Sequence, residues 1–331
     1  MKIQRRRLLT GLTATLGGGL LAPAFASGPA GGYPNKPIRL VTGYPPGGAI
    51  DIFARLLTSF LAERIGQAVI VDSRPGASGT IAAAQVARLP NDGYTLYLAS
   101  AGDFTLAPST MGKRLTYDPI TGFTPIMLAV QVPSVLVVHP SVPVTNVQEL
   151  INLAKSKPGE LNYATFGNGS TSHIAAEAFN YMSGIKMQHV SYKGSAPAVT
   201  DLLAGRVQVM FDSATSATRF TKTGALRALA VSTLTRAPLL PDVPTISASG
   251  IPGYNISSWM GVVAPAGLPQ PIVQLLARHM DDFMKNPEAR VQMEKLGLVL
   301  EAAGPEQFKE FLQRETDRMS KLIVDARIQL D

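Results

Sequence analysis

Short β-branched runs alternate with amphipathic helical patterns along most of this chain, and glycine-rich loops stand where a strand pattern gives way to a helical one. That rhythm builds βαβ units, because neighbouring strands run parallel only when a crossover, usually a helix, joins them. Strands are expected over 38–42, 68–72 and 95–100, with helices over 51–65 and 80–88. In the first helix Ile52, Phe53, Leu56, Leu57, Phe60 and Leu61 share a face. A second set has strands over 135–138, 162–165, 190–192, 207–211 and 227–231, and helices over 147–156, 172–183 and 197–204. Proline-rich 238–252 leads to a strand over 259–264 and helices over 271–284, 287–296 and 305–328, each opened by a proline. In the last, Phe308, Phe311, Leu312, Met319, Leu322 and Ile323 share a face.

The simplest layout is α/β, with two doubly wound lobes on mainly parallel sheets. Lobe 1 takes residues 33–130 plus 254–331, and lobe 2 takes 131–253. Crossings near 130–133 and 251–254 make a hinge, with a cleft between the lobes. A chain of 331 residues is long for one core, which agrees with two.

The N-terminus supplies an address. Arg5-Arg6-Arg7, Leu8-Leu9, a glycine-diluted apolar stretch and Ala24-Phe25-Ala26 read as an export signal over 1–26, of twin-arginine type. Its four basic residues inflate the formal charge of +7; the rest of the chain has 26 basic against 23 acidic residues, or +3. No basic surface interleaved with aromatics marks a nucleic-acid partner. The chain has no cysteine, which excludes disulfides, thiolate catalysis and cysteine metal sites. His139, His173, His189 and His279 lack metal-ligand spacing, so neither metal nor cofactor is expected. The mature protein is expected to be a monomer in the periplasm.

Three strand-to-helix junctions carry the chemistry: Tyr44-Pro45-Pro46-Gly47-Gly48-Ala49-Ile50-Asp51, Arg74-Pro75-Gly76-Ala77-Ser78-Gly79, and Phe166-Gly167-Asn168-Gly169-Ser170-Thr171. Ligands of open α/β sheets sit beyond the carboxyl ends of the strands, where such loops emerge. Glycine lets the main chain come close, and the free amides of a helix start favour an anion. Glycine after a strand is also ordinary turn punctuation, and Asp51 also suits a helix N-terminus. Neither the phosphate-loop nor the dinucleotide fingerprint is present. Asp212 ends an apolar strand and is followed by Ser213, well placed to accept from a ligand or to satisfy a loop. Tyr192 brings a ring and hydroxyl, His173 falls in the first turn after the third loop, and Asp103 follows a strand end, facing the cleft in this reading.

At these loops the chain resembles the Bug family, the substrate-binding proteins of tripartite tricarboxylate transporters. The likeness runs through Tyr33-Pro34, Pro37-Ile38, Pro45-Pro46-Gly47-Gly48-x-x-Asp51 and the second glycine loop. It continues through Tyr117-Asp118, Pro158-Gly159, Tyr192-Lys193-Gly194-Ser195-Ala196-Pro197, Phe211-Asp212 and Ala264-Pro265-Ala266-Gly267-Leu268-Pro269. The resemblance implies a type II periplasmic binding protein fold that closes on a small organic acid, a di- or aromatic carboxylate among the options, and passes it to membrane permease subunits. By position it implies a site at Tyr44, Gly47, Gly48, Ala49, Asp51, Gly167, Ser170, Thr171 and Asp212, to which Ser78, Asp103, Phe166, His173, Tyr192 and Ser213 are added from the residues themselves. Asp103 departs from the family pattern, and its charge would repel a carboxylate beside it.

The reading is therefore a non-catalytic capture protein. Its rivals are a sensor adaptor for a signalling receptor and a periplasmic hydrolase using Ser170 or Ser78 with His173; no G-x-S-x-G motif supports the latter.

Overall fold

The computed structural model describes residues 32–328, so the leader expected over 1–26 lies outside the described residues. The chain begins with β1 (Ile38–Thr42), α1 (Ala49–Ile65), β2 (Val69–Ser73), α2 (Thr80–Val86) and β3 (Thr95–Ser100). β1 pairs in parallel with β2 on one side and β3 on the other. It sends Ile38 and Leu40 into one apolar cluster and Val41 into another, the pattern of a strand covered on both faces. α1 turns Phe53, Leu57 and Leu61 inward. Ile52, placed on that face from sequence, is 38% exposed, since adjacent helix positions point in different directions.

A π turn at Gly102–Leu106 then leads into α3 (Ala107–Met111) and the ten-residue strand β4 (Phe123–Val132). β4 passes through Pro133 into β5 (Ser134–Val138), the first strand of the second sheet. There follow α4 (Val147–Ser156), β6 (Asn162–Thr165), α5 (Thr171–Ser183), β7 (Gln188–Ser191), α6 (Ser195–Leu203), β8 (Val209–Ser213), α7 (Ala214–Thr221) and β9 (Arg227–Val231). The chain returns through β10 (Ser258–Pro265) and ends in α8 (Gln270–Lys285), α9 (Pro287–Lys295), β11 (Val299–Ala303) and α10 (Pro305–Asp325).

The sheets run β11-β4-β10-β3-β1-β2 and β7-β6-β8-β5-β9. Both are mixed, which corrects the expectation of mainly parallel sheets. β10 is antiparallel to β3 and β4, and β5 is antiparallel to β8 and β9, because the crossing strands enter each sheet against the βαβ direction. The register of β10 on β4, from Ser258↔Val132 to Pro265↔Phe123, lays the two crossings side by side.

The return crossing comes later than residue 254. Tyr254 is fully buried against Phe179 and Phe211, with its hydroxyl donating to the Ala175 carbonyl at 2.8 Å. Ile256 shares that core, and its amide donates to the Ser232 carbonyl at 3.0 Å. α10 also departs from the expected division. Phe308 and Leu312 pack on the first sheet, whereas Met319 and Ile323 join the core of the second.

Candidate functional site

Thr42 is level with both Ser73 and Leu98, so the loops after β1, β2 and β3 leave the first sheet at one edge. In the second sheet Ala164 is level with Met210, which sets Asp212 and Ser213 beside the loop after β6. A cavity of about 240 Å³ lies where the two edges meet. Ala77, Ser78 and Gly102 line it from one lobe, Asn168 and Gly169 from the other.

The first loop is organised by Asp51. Its Oδ2 accepts from the Gly47 amide and from Arg55 Nε, each at 3.0 Å. The Arg55 hydrogen bond and then the Gly47 amide hold its carboxyl below the usual range. The Gly47 amide is therefore engaged within the chain. The next four amides, of Gly48, Ala49, Ile50 and Asp51, have no acceptor among the described residues, and the cap at Gly48 contributes no side chain. They are the unsatisfied donors of a helix start. Tyr44 ties this loop to its neighbours: its hydroxyl lies 2.8 Å from Ser100 Oγ and 3.1 Å from the Ser78 carbonyl. Burial, then the nearby Asp103, pushes the phenol pKa upward, so Tyr44 stays a neutral donor.

Asp103 does not face the cleft. It is fully buried, accepting from the Ser100 amide at 2.9 Å, from Ser100 Oγ at 2.5 Å and from the Tyr97 hydroxyl. Tyr117 donates to its carbonyl. Burial raises its pKa to about 6 against the lowering effect of these donors. The acid closes the π turn from beneath, and its presumed repulsion of a ligand is withdrawn. Above it the second loop is strained: Ala77 and Ser78 are both left-handed, with φ of 45° and 53°. Consecutive non-glycine residues there cost about 1–3 kcal/mol each and concentrate at functional sites. Ser78 is exposed on the cavity wall.

The third loop is held from within. Ser170 Oγ donates to the Gly167 carbonyl at 2.6 Å and accepts from the His173 amide at 3.3 Å, capping α5. Ser172 Oγ accepts from the Phe166 amide at 3.0 Å. The amides of Thr171 and Ser172 are left without an acceptor among the described residues. His173 is buried, and its Nδ1 accepts from the Gly169 amide at 3.2 Å. Its ring stacks on His189 at 4.1 Å, and His189 stacks on Tyr163 in turn. Burial, then His189, lowers the His173 pKa to about 4. The ring thus supports the loop. No hydrogen bond joins it to Ser170 Oγ or Ser78 Oγ among the described residues, so the pair required by the hydrolase reading is not assembled.

Asp212 is fully buried at the end of β8. The Ser213 amide donates to Oδ1 at 2.8 Å, while Oδ2 meets no donor in hydrogen-bonding geometry. Burial raises its pKa to about 6, opposed by the Ser216 side chain and the Ser213 amide. Ser213 caps α7 through the Ser216 amide. The Tyr192 hydroxyl donates to Asp201 at 2.8 Å, and its ring packs with Phe166 on the second sheet's core, so these two shape the cleft edge from behind.

Several residues escaped the sequence reading. Ser100 and Tyr97 bind Asp103, while Thr110, Met111 and Arg114 on and after α3 line the cavity beside Asn168. The glycine-loop signal finds strand-to-helix junctions, and α3 follows a π turn that has no such signature.

The overall fold and much of the sequence recur in known proteins. A family model described as tripartite tricarboxylate transporter family receptor matches residues 53–328. A protein encoded in the tcbD-tcbE intergenic region of Pseudomonas sp. strain P51 is 36% identical over 327 residues, covering 98% of this chain and 96% of its own. Rpa4515 of R. palustris with adipate superposes with a TM-score of 0.81 at 36% identity, covering 89% of this chain and 99% of that one. The periplasmic binding protein BugD gives 0.78 at 34% identity, with 90% and 99% covered. MatC from Rhodopseudomonas palustris with bound malate gives 0.76 at 29%, with 88% and 100% covered.

Proposed function

This chain belongs to the tripartite tricarboxylate transporter family of receptors, and from that premise we propose that it captures a small organic carboxylate in the periplasm, closes its lobes around it and delivers it to a membrane permease. The observation that carries the reading is the pair of helix starts with unsatisfied amides: Gly48 to Asp51, whose loop is tied by Tyr44 to Ser78 of the cavity wall, and Thr171 with Ser172, which follow the lining residues Asn168 and Gly169. Donors fixed by folding need no reorganisation to receive a negative charge, and each helix dipole adds to the attraction. Tyr44 contributes a neutral hydroxyl at the same edge. The adipate of Rpa4515 and the malate of MatC are carboxylates of the size this reading requires.

The side-by-side crossings of β4 and β10 supply the hinge. Hinge closure around a ligand gives a partner a shape to recognise. A thermal-shift screen of mono-, di- and aromatic carboxylates tests the proposal. A binder at a hundredfold excess over Kd stabilises the fold by about 2.7 kcal/mol, a rise in Tm of several degrees. A flat response across all three classes would overturn the carboxylate reading.

A further inference from the structure

We infer that Arg114 is the specificity-determining residue of the cleft, holding a second anionic group at the far end of a ligand whose first carboxylate rests on the amides of α1 and α5. The inference rests on the carboxylate-capture reading and adds to it the residue that selects the ligand's other end. Arg114 is the charged side chain on the wall of the interlobe cavity, whose remaining lining is Ala77, Ser78, Thr80, Gly102, Ala107, Thr110, Met111, Asn168 and Gly169. No carboxylate of the described residues forms an ion pair with it, and its one recorded bond is a long 3.5 Å contact from Nη2 to the Thr110 carbonyl. An arginine left without a counter-ion on the wall of a cleft is suited to a carboxylate, which its planar fork receives with two parallel hydrogen bonds.

The surroundings favour the same partner. Asp103, the acid nearest the cavity floor, points inward and is saturated by Tyr97 and Ser100, so it does not compete for the guanidinium. The methyl and thioether groups of Ala107 and Met111 suit a methylene chain between two charged ends. A cavity of about 240 Å³ has room for a small diacid. The strained pair Ala77 and Ser78 forms part of the same wall as Arg114, and backbone strain concentrates at functional sites.

Titration calorimetry with adipate and hexanoate, which share a six-carbon chain and differ by one carboxylate, tests this on the native protein, Arg114→Gln and Arg114→Lys. The native protein should prefer adipate by roughly ten- to hundredfold, the range of a charge-assisted hydrogen bond. In Arg114→Gln the preference should collapse with hexanoate affinity unchanged, and Arg114→Lys should keep part of it. Arg114 is exposed, so both variants should fold. A preference for adipate that persists in Arg114→Gln overturns the assignment. Binding of hexanoate or benzoate but not adipate by the native protein overturns the assignment and leaves carboxylate capture standing; binding of none of the three overturns both.

Discussion

His173, buried behind the third loop, couples the stability of the fold to pH. In sequence it sits in the first turn after a glycine loop, where a ligand contact is reasonable. In the fold it is buried, stacked on His189, and spends Nδ1 on the Gly169 amide. Its pKa of about 4 lies below the 6.5 of a free imidazole, with burial as the main cause. The unfolded chain therefore takes up a proton at a higher pH than the fold, and stability falls as pH drops from about 6.5 to about 4. A shift of that size amounts to roughly 3 kcal/mol. Asp103 and Asp212 act in the opposite sense. Raised to about 6, they contribute most below the ordinary carboxyl range and lose that contribution as pH rises through 6. Comparing native protein with His173→Gln cancels the two aspartates. Chemical denaturation should show the stability difference moving by about 3 kcal/mol in favour of the variant between pH 7 and pH 4. A difference independent of pH would mean that burial leaves the imidazole titrating in the fold as it does in the unfolded chain.

At the scale of the helix starts, two glycines that look equivalent in sequence have different roles. Gly48 caps α1 with φ −84° and ψ 173°, an ordinary extended conformation, and a Cβ there meets nothing within 4 Å. Gly167 has φ +138°, where an L side chain is strained whatever the space. Gly48→Val should leave the unliganded melting temperature nearly unchanged and weaken carboxylate binding about tenfold or more by screening the α1 amides. Gly167→Val should instead lower stability by about 1–3 kcal/mol, and its binding loss would be confounded. Parallel melting and calorimetry separate the two, and undiminished affinity in a stable Gly48→Val would place the ligand away from α1. Strands and helices were largely legible because alternation and helical period are local signals. β4, α7 and β11 were not, because they take their form from the strands and loops they pack against rather than from a period of their own.

At the scale of the molecule, α10 matters most for motion. It packs Phe308 and Leu312 on one core and Met319 and Ile323 on the other, and Ser320 bonds Ser109 of α3 at 2.6 Å. A closing movement must therefore bend or slide this helix as well as flex the β4 and β10 crossings. Small-angle scattering should show the radius of gyration falling when the best hit of the carboxylate screen saturates the protein; an unchanged radius with proven binding would mean capture without closure. From residues alone came most of the strands and helices, the two-lobed α/β plan and the three loops at the strand ends, since each is written in neighbouring positions. Which polar groups remain free for a guest was decided only by tertiary structure. Tyr97 and Ser100 claim Asp103, Asp201 claims Tyr192, and Asp51 claims the Gly47 amide, whereas Arg114 and the amides following Gly47 are left over. A buried polar group must find a partner wherever the folded chain supplies one, and much of that supply comes from segments distant in sequence, whose approach no local pattern records.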